Sequence, residues 1–280
     1  MSDLGDLLEL LHGRGGRVRT MRGRFIAWSH CERQAEAFEA DLGTLEADVA
    51  THAPPSVAFA EDAHGRAEQY ETVSLWFEHP ARLREERSTE LSDVPARYAV
   101  RDGDRWWSLD EHGALHGEAE AGGEVGADFG LMLDPARLIG PMRFEPLGRG
   151  ERAGRAVLRA HAQLRADAYG VGRPAARLRA VFFPHRLAPG ADSYDLEVDA
   201  EHGVLLRLEA MRAGEPFWSL SATDVDFDIQ IPPETFHFTA PEGVKLKTLD
   251  DLFESPARTF YRSVSGVLGG LGQAFWRRRH

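Results

Sequence analysis

The spacing of apolar positions changes twice along the chain, from helical to alternating and back to helical. Over 3–12, leucines recur every three or four residues, which predicts a short helix. In 156–165 and 204–210, small or apolar residues alternate with polar ones. This period of two predicts strands with one covered face and one wet face, the usual arrangement in antiparallel sheets.

Turn signals divide the first half of the chain into further strands. The stretches 66–78 and 82–88 are predicted strands on either side of a turn at His79-Pro80. The stretches 97–101 and 105–109 are predicted to form a hairpin, because the Asp-Gly between them is the strongest short-range hairpin signal.

Two segments depart from simple strand patterning. The Gly-, Ala- and Glu-rich stretch 114–127 is predicted as a mobile loop, and 127–142 as one or two short helices. Leu220 and Val225 are apolar but have opposite parity along one predicted strand, and a slip of one residue would turn every later side chain to the other face. A β-bulge near Ala222-Thr223 would restore the covered face.

We expect one domain, 1–248, with insertions near 29–64 and 166–192, followed by a C-terminal helical tail, 249–280. Apolar residues of the tail form one face of a predicted amphipathic helix, and three arginines follow them. Two interpretations stay open. Residues 257–280 contact an anionic membrane surface, or the helix docks on its own domain or frays.

Charge and cysteine content exclude several classes of protein. The chain has 33 Lys and Arg residues against 45 Asp and Glu residues, a formal net charge of −12. Because nucleic-acid binding rests mainly on cations that meet phosphates, no nucleic-acid partner is expected. Cys31 is the only cysteine, which excludes an internal disulfide and a multi-cysteine metal site.

The sequence has neither a membrane-spanning pattern nor a secretory one. A bilayer-spanning helix needs ~20 consecutive apolar residues, and the apolar runs are shorter. The first residues carry acids ahead of their leucines and have no cleavage site of small residues, unlike a signal peptide. We therefore expect a cytoplasmic protein, membrane-associated if the tail binds lipid, or an exported one if a leader was removed.

The clusters of metal-binding and catalytic residue types all have simpler interpretations. His112 and His116 have a spacing that suits a metal on a helix, but Gly113 favours a polar turn. Three aspartates over 224–228 alternate with apolar residues, which favours a solvated outer face over a calcium site. The sequence offers no catalytic constellation, and neither an enzymatic activity, a metal nor a cofactor is expected.

Three stretches, in order, resemble the LolA-like lipoprotein-carrier superfamily, which includes the lipid-binding half of RseB-type regulators. "VSLWFEHPARLRE" (73–85) is similar to the family's strand–proline–strand segment. "YAVRDGDRWWSLD" (98–110) is similar to its hairpin, with Trp107 at the tryptophan position. "IPPETFHFTAPEGVKL" (231–246) is similar to its closing strand.

The resemblance implies an α+β fold, an open antiparallel β half-barrel (an incomplete barrel) with helices packed in its concave side. An apolar cavity for acyl chains is implied between sheet and helices. For any single tryptophan, an ordinary place in the core is the simpler interpretation. The residues expected to form the cavity and its lid are Phe25, Trp28, Trp76, Trp107, Leu131, Leu133, Phe144, Phe227 and Phe238.

The chain departs from the family pattern where carriers latch their helical lid. In those proteins an arginine stands just before the proline that follows the Leu-Trp strand, whereas this chain has His79. A neutral imidazole cannot supply the five donors of a guanidinium group. The open–close cycle of the carriers is therefore not implied for this chain.

The sequence favours a non-catalytic binding protein, a carrier or sensor, whose ligand is a hydrophobic small molecule or acyl chain. The alternative is an interaction protein whose cavity is plugged by its own helices and which contacts a protein partner. A hydrolase on the same scaffold is the third interpretation, without supporting residues.

Overall fold

The structure, a computed structural model, is an open sheet with helices on one side. It describes residues 3–13, 18–43, 67–89, 97–110, 113–118, 127–165, 188, 190–248 and 251. The α-helices are α1 (Asp3–Gly13), α2 (Cys31–Gly43) and α3 (Ala127–Leu133), and 3₁₀ turns span Pro135–Leu138 and Pro233–Phe236.

The strands follow the predicted ones closely in the first half of the chain. The first six are β1 (Thr20–His30), β2 (Glu68–Glu78), β3 (Arg82–Thr89), β4 (Arg97–Asp102), β5 (Arg105–Asp110) and β6 (Gly113–Glu118). The others are β7 (Met142–Arg152), β8 (Arg155–Leu164), β9 (Ser193–Asp199), β10 (Leu205–Arg212), β11 (Glu215–Phe227) and β12 (Leu246–Thr248).

Strand β1 lies in the middle of the sheet although it comes first in the chain. The order across the sheet is β12-β6-β5-β4-β3-β2-β1-β11-β10-β9-β8-β7. All neighbouring strands pair antiparallel except β12, which pairs parallel with β6. Among the described strands, β12 and β7 end the sheet without pairing with each other. The predicted open half-barrel is therefore confirmed.

The concave face of the sheet is the one that α1 and α3 cover. Phe25 of β1 and Phe129 of α3 are fully buried and meet edge to face, with ring centroids 5.1 Å apart. Leu7 and Leu11 of α1 belong to the same cluster. Each fully buried Leu or Phe side chain contributes ~1.5–3 kcal/mol, which holds the helices on the sheet.

The predicted bulge lies in β11, where it meets β1. Arg24 pairs with Asp224, but the next residue, Phe25, pairs with Ala222, so Thr223 is the extra residue. The bulge returns the apolar side chains on both sides of Thr223 to the concave face, and the prediction is confirmed. Because bulges bend strands, this one also adds curvature at the centre of the sheet.

Strands β6 and β7 differ from what the local sequence indicates. β6 overlaps the start of 114–127, which was predicted as a loop, and that prediction is wrong for 114–118. β7 contains Pro146, and Glu145, Gly148 and Gly150 near it also have low strand preference. Local propensity therefore gives little indication of this strand. Both strands form because a neighbour with a matching edge supplies the hydrogen bonds, a contribution that the local sequence does not reveal.

A second cluster lies on the outer face of the sheet, beneath residues 229–239, which we call the strap. Ile231 and Phe236 of the strap are buried against Val100 of β4. Pro232 and Pro233 have no N–H to donate to a neighbouring strand, which favours a segment that crosses the sheet over one that pairs in it.

The described segment that follows the strap, 240–248, joins the sheet only briefly. The resemblance implied a closing strand over 231–246, whereas the structure pairs only Leu246–Thr248, as β12, with β6. Lys245 and Lys247 are exposed at this edge of the sheet and are the only lysines of the chain. Lysine on an edge strand discourages further strand pairing.

Gly190, in the turn that precedes β9, lies close against α2. A Cβ at Gly190, whose φ is +87°, would lie 2.0 Å from the carbonyl oxygen of Ala37 in α2. Gly214 also has a positive φ, +81°, but nothing within 4 Å of the same position. The two glycines therefore separate the cost of backbone conformation from that of a clash.

We predict that Gly190→Ala lowers the free energy of unfolding by at least ~2 kcal/mol more than Gly214→Ala does, because only the first change displaces a helix. Urea unfolding followed by circular dichroism measures both values. Equal losses in the two variants would show that α2 does not depend on this contact.

Candidate ligand-binding site

Five of the nine residues predicted to form the cavity and its lid lie on the concave side. Phe25, Leu131, Leu133 and Phe144 belong to the main cluster, and Phe227 is partly buried against it. They come from four elements, β1, α3, β7 and β11, which the sheet brings together. Their role in lining a ligand site stays a prediction.

The other four residues lie on the outer face, which corrects the expectation of one shared cavity. Trp76 and Trp107 pack in the cluster beneath the strap, and Phe238 of the strap packs against the same cluster. Trp28 is half-buried on the same face. Successive side chains of a strand point to opposite faces, so Trp76 cannot share a wall with Leu75. β2 is apolar on both faces because the main cluster covers one face and the strap covers the other.

Side chains of the sheet hold the strap through its carbonyl groups. Arg84 donates from Nη1 to the carbonyl oxygen of Thr235 at 3.1 Å, and its guanidinium lies over the ring of Tyr98, 5.2 Å from the centroid. The Tyr98 hydroxyl donates to the carbonyl oxygen of Thr239 at 2.6 Å. Burial raises the pKa of Tyr98, which favours the protonated hydroxyl that donates this bond.

His79, at the position of the family's latch, is exposed in the turn between β2 and β3. Its backbone N–H donates to the carbonyl oxygen of Arg19 at 2.8 Å, and its peptide bond to Pro80 is cis. The guanidinium that binds carbonyls of a covering segment belongs to Arg84, and the segment it holds is the strap. That His79 does not replace the family's latch arginine stays a prediction.

Trp106, which was not among the predicted site residues, is the hairpin tryptophan on the concave face. A Cβ on Gly117 of β6 would lie 2.8 Å from the Trp106 ring, so the absence of a side chain there makes room for the indole. The indole Nε1 donates to the carbonyl oxygen of Glu118 at 3.2 Å. The pair "WW" indicates a strand, but which of the two tryptophans faces the concave side depends on the register of the strand. The local sequence does not determine that register.

The apolar concave face extends beyond the strands on which the described helices pack. α1 packs on β7 and β9, α3 on β10, and α2 on β11 and β1. On the far side of β1, Phe77 pairs with Leu83, and the same row continues through Arg101 to Trp106. Leu83 and Trp106 are buried, so this part of the face also has an apolar floor.

A charged cluster interrupts this floor on β2, β3 and β4. Glu85 is only 7% exposed and accepts a hydrogen bond from Arg87. Arg87 also pairs with Glu71, Nη1 to Oε2, at 3.3 Å, and lies directly opposite Arg97 in the register. An unpaired buried carboxylate would be costly, and the pairing with Arg87 lowers that cost.

A second charged group lies at the rim of the main cluster, beside Phe227. The ring of Phe227 stacks on His202, with centroids 4.0 Å apart. Asp199 is fully buried and accepts hydrogen bonds from Arg155 and from the backbone N–H of His202. Burial alone would raise the pKa of Asp199, but the bonds from Arg155 and His202 outweigh it and hold that pKa below its usual value.

Two clefts open at the β7 end of the sheet. One, of about 180 Å³, lies between α1 and the β7–β8 pair, where Asp6 faces Arg149. The other, of about 270 Å³, runs along β7 and β8 past Phe144 and His161. Neither is lined by α3, so neither is the predicted cavity between sheet and lid.

In the part of the chain that the structure describes, no group of three or more His, Cys, Asp or Glu side chains is placed to bind a metal ion. The predicted turn residue His112 lies outside that part. Asp226 lies on the outer face of β11 and pairs with Arg22. This agrees with the solvated outer face that the sequence predicted for the aspartates of 224–228. No described helix is long and apolar enough to cross a membrane.

Several predicted features lie outside the described residues. The first is most of the C-terminal tail, including the stretch 257–280 for which membrane contact is one of the two interpretations. The others are the larger parts of the two predicted insertions, 44–64 and 166–187. The division into a domain and a tail stays a prediction.

Solved structures resemble this fold at low sequence identity. A structure of MucB is 13% identical over 88% of this chain and 65% of its own, with a TM-score of 0.46, so the chain spans less than two thirds of MucB. An uncharacterised conserved protein from Thermus thermophilus is 8% identical over 88% of this chain and 99% of its own, with a TM-score of 0.46.

A LolA superfamily protein from Nitrosomonas europaea is 8% identical over 84% of this chain and 96% of its own, with a TM-score of 0.31. Matches of this kind are what the resemblance stated from the sequence leads one to expect. It is a resemblance of fold alone, so the function rests on the chain's own residues. No family model and no curated protein sequence matches the chain.

The Asp199 cluster predicts a loss of stability in acid. The folded-state pKa of Asp199 is lowered, so its contribution is fully present above the unfolded value of ~3.9 and is lost as the pH falls through the lower folded value. We predict that the difference in unfolding free energy between the wild type and Asp199→Asn shrinks below about pH 4.

Chemical unfolding between neutral pH and pH 3 tests this expectation. Asp226→Asn is the matched control, since Asp226 lies exposed on the outer face. A wild-type advantage over Asp199→Asn that does not change with pH would contradict the assignment.

Proposed function

We propose that the protein is a non-catalytic binding protein that takes the acyl part of a lipid-like ligand on the concave face of its sheet. The observation that carries the proposal is the extent of the apolar face, which continues from the helix-covered strands across β1 to Phe77, Leu83 and Trp106. Burial of a hydrocarbon chain there would contribute ~25 cal/mol per Å² of apolar surface removed from water.

The side chains around this face suit a ligand whose shape varies. Met21 lies on the floor and Met132 in α3, both fully buried, and methionine adapts its shape more readily than branched residues do. Gly23 has no side chain, and the ring of Phe25 lies against it, since a Cβ there would be 2.7 Å from that ring. α3 has only seven residues, so displacing it would break few backbone hydrogen bonds.

A second candidate function is a protein-interaction module whose concave side is filled by its own helices. The contact of Phe25 with Phe129 favours it, because both rings are fully buried without any ligand. The two functions differ in one observable, which is whether an amphiphile binds in stoichiometric amount.

The binding function is tested with a variant that fills the face without removing any apolar contact. Ala99 of β4 is half-buried on the concave face, between Glu85 and Ser108 in the register. We predict that Ala99→Trp lowers the lipid recovered with the purified protein at least about fivefold, because an indole occupies the space of the chain. Organic extraction and mass spectrometry measure the lipid.

Ser88→Trp is the control, since Ser88 is exposed and lies on the outer face of β3. It should leave the bound lipid unchanged. A well-folded wild type from which no lipid is extracted, and which binds no added fluorescent fatty acid, would overturn the proposal in favour of the interaction module.

A further inference from the structure

The outer face of the sheet carries two neighbouring aromatic side chains away from the strap. Trp28 of β1 and Tyr70 of β2 lie directly opposite each other, and we call these two side chains the platform. Tyr70 is 49% exposed and Trp28 is half-buried, so both rings reach solvent. The binding function proposed above uses the concave face and therefore leaves the platform without a role.

Tyr70 is held by its neighbours although it is exposed. Its hydroxyl donates to Oε2 of Glu68 at 2.9 Å, which raises the pKa of Tyr70. A hydrogen bond with the Trp28 side chain acts on the same pKa in the opposite direction, so the two members of the platform are in contact. A ring held in this way loses less conformational freedom when a ligand packs on it.

The positions next to the platform are uncharged. Ile26 and Thr72 form the next outer-face pair on β1 and β2, while Ser219 and Ser221 of β11 lie opposite Trp28 and Ile26. All four neighbours are half-buried. The hydroxyl groups among them can each donate and accept a hydrogen bond.

A charged pair borders this patch on the β10 side. Arg207 and Glu209 lie opposite the two serines, and Arg207 donates from Nη2 to Oε1 of Glu209 at 2.6 Å. Arg207 also lies 3.6 Å from Glu197, which Arg152 binds. Each of these charges thus has a partner of opposite sign, and the border offers both donors and acceptors.

The size of the patch decides between two kinds of partner. Neighbouring strands are ~4.8 Å apart and alternate residues of a strand are ~6.8 Å apart, so the platform and its four neighbours cover on the order of 150 Å². A stable protein interface buries ~800 Å² on each partner. The patch is too small for a protein and suits a ligand of about one or two sugar rings.

The chemistry of the patch also separates ligand classes. Apolar small molecules bind in concave pockets, and quaternary ammonium groups bind in cages of several aromatic rings, whereas this patch lies on the face of a sheet. A sugar ring has a face of C–H groups that packs on an aromatic ring, and hydroxyl groups at its edge that bond with polar side chains.

We propose that the platform is a binding site for a neutral saccharide. One sugar ring stacks on Trp28 and Tyr70. Glu209 lies two strands, about 10 Å, from Trp28, so the hydroxyl groups of the adjoining ring reach Arg207 and Glu209. This site lies on the face opposite to the proposed acyl site and does not depend on it.

The experiment follows the indole N–H signals of the full-length protein by ¹H–¹⁵N NMR during titration with cellohexaose, maltohexaose or mannohexaose. The chain has six tryptophans, and Trp28→Phe identifies the signal of Trp28 by its loss. We expect at least one of these saccharides to shift that signal saturably, with a Kd of about 1 mM, as suits a ligand bound on one side only.

Tyr70→Ser should raise this Kd at least about fivefold, because it removes one of the two rings on which the sugar stacks. Leu147→Ser is the matched control, since Leu147 is 48% exposed and lies in β7, the last strand at the far end of the described sheet. It removes a similarly exposed apolar side chain and should leave the Kd unchanged.

Three outcomes would overturn the proposal. The first is a Trp28 signal that none of the three saccharides shifts at concentrations up to about 20 mM. The second is a Kd that is the same in Tyr70→Ser as in the wild type. The third is a Trp28 signal that moves with protein concentration alone, which would show that a second copy of the chain covers the platform.

Discussion

The pairing of β1 with β11 holds the two halves of the sheet together, and the concave face depends on it. Arg24 and Thr223, which share a hydrogen bond across this pair, are 199 positions apart in the sequence. β2–β6 lie on one side of the pair and β7–β10 on the other. Contacts between distant residues must overcome a large closure entropy, so we expect the face to be completed late in folding.

The sequence predicts the strands better than it predicts their faces. Thr223 could be identified as a bulge because the apolar parity changes within one strand, which is a local signal. Trp76 and Trp107 gave no such signal, since strands covered on both faces lose their alternation. Their placement depends on the strap, whose position is set by contacts with Arg84 and Tyr98 far away in the sequence.

Charged side chains differ in their exposure to water on the two faces of the sheet. On the outer face, pairs such as Arg22 with Asp226 are half-exposed and cross-strand, so they contribute little to stability. On the concave face, Glu85 is nearly inaccessible and needs its partner. A charge buried in this way is costly to leave unpaired, whereas the half-exposed charges of the outer face stay hydrated.

The edge formed by β12 has a consequence for labelling. Lys245 and Lys247 carry the only side-chain amines of the chain, and both are exposed at one short strand. Reagents that react with primary amines therefore modify, among all side chains, only the segment that follows the strap. A dye or cross-linker attached there would report on the pairing of β12 with β6, in a molecule whose cationic side chains are otherwise all guanidinium groups or imidazoles.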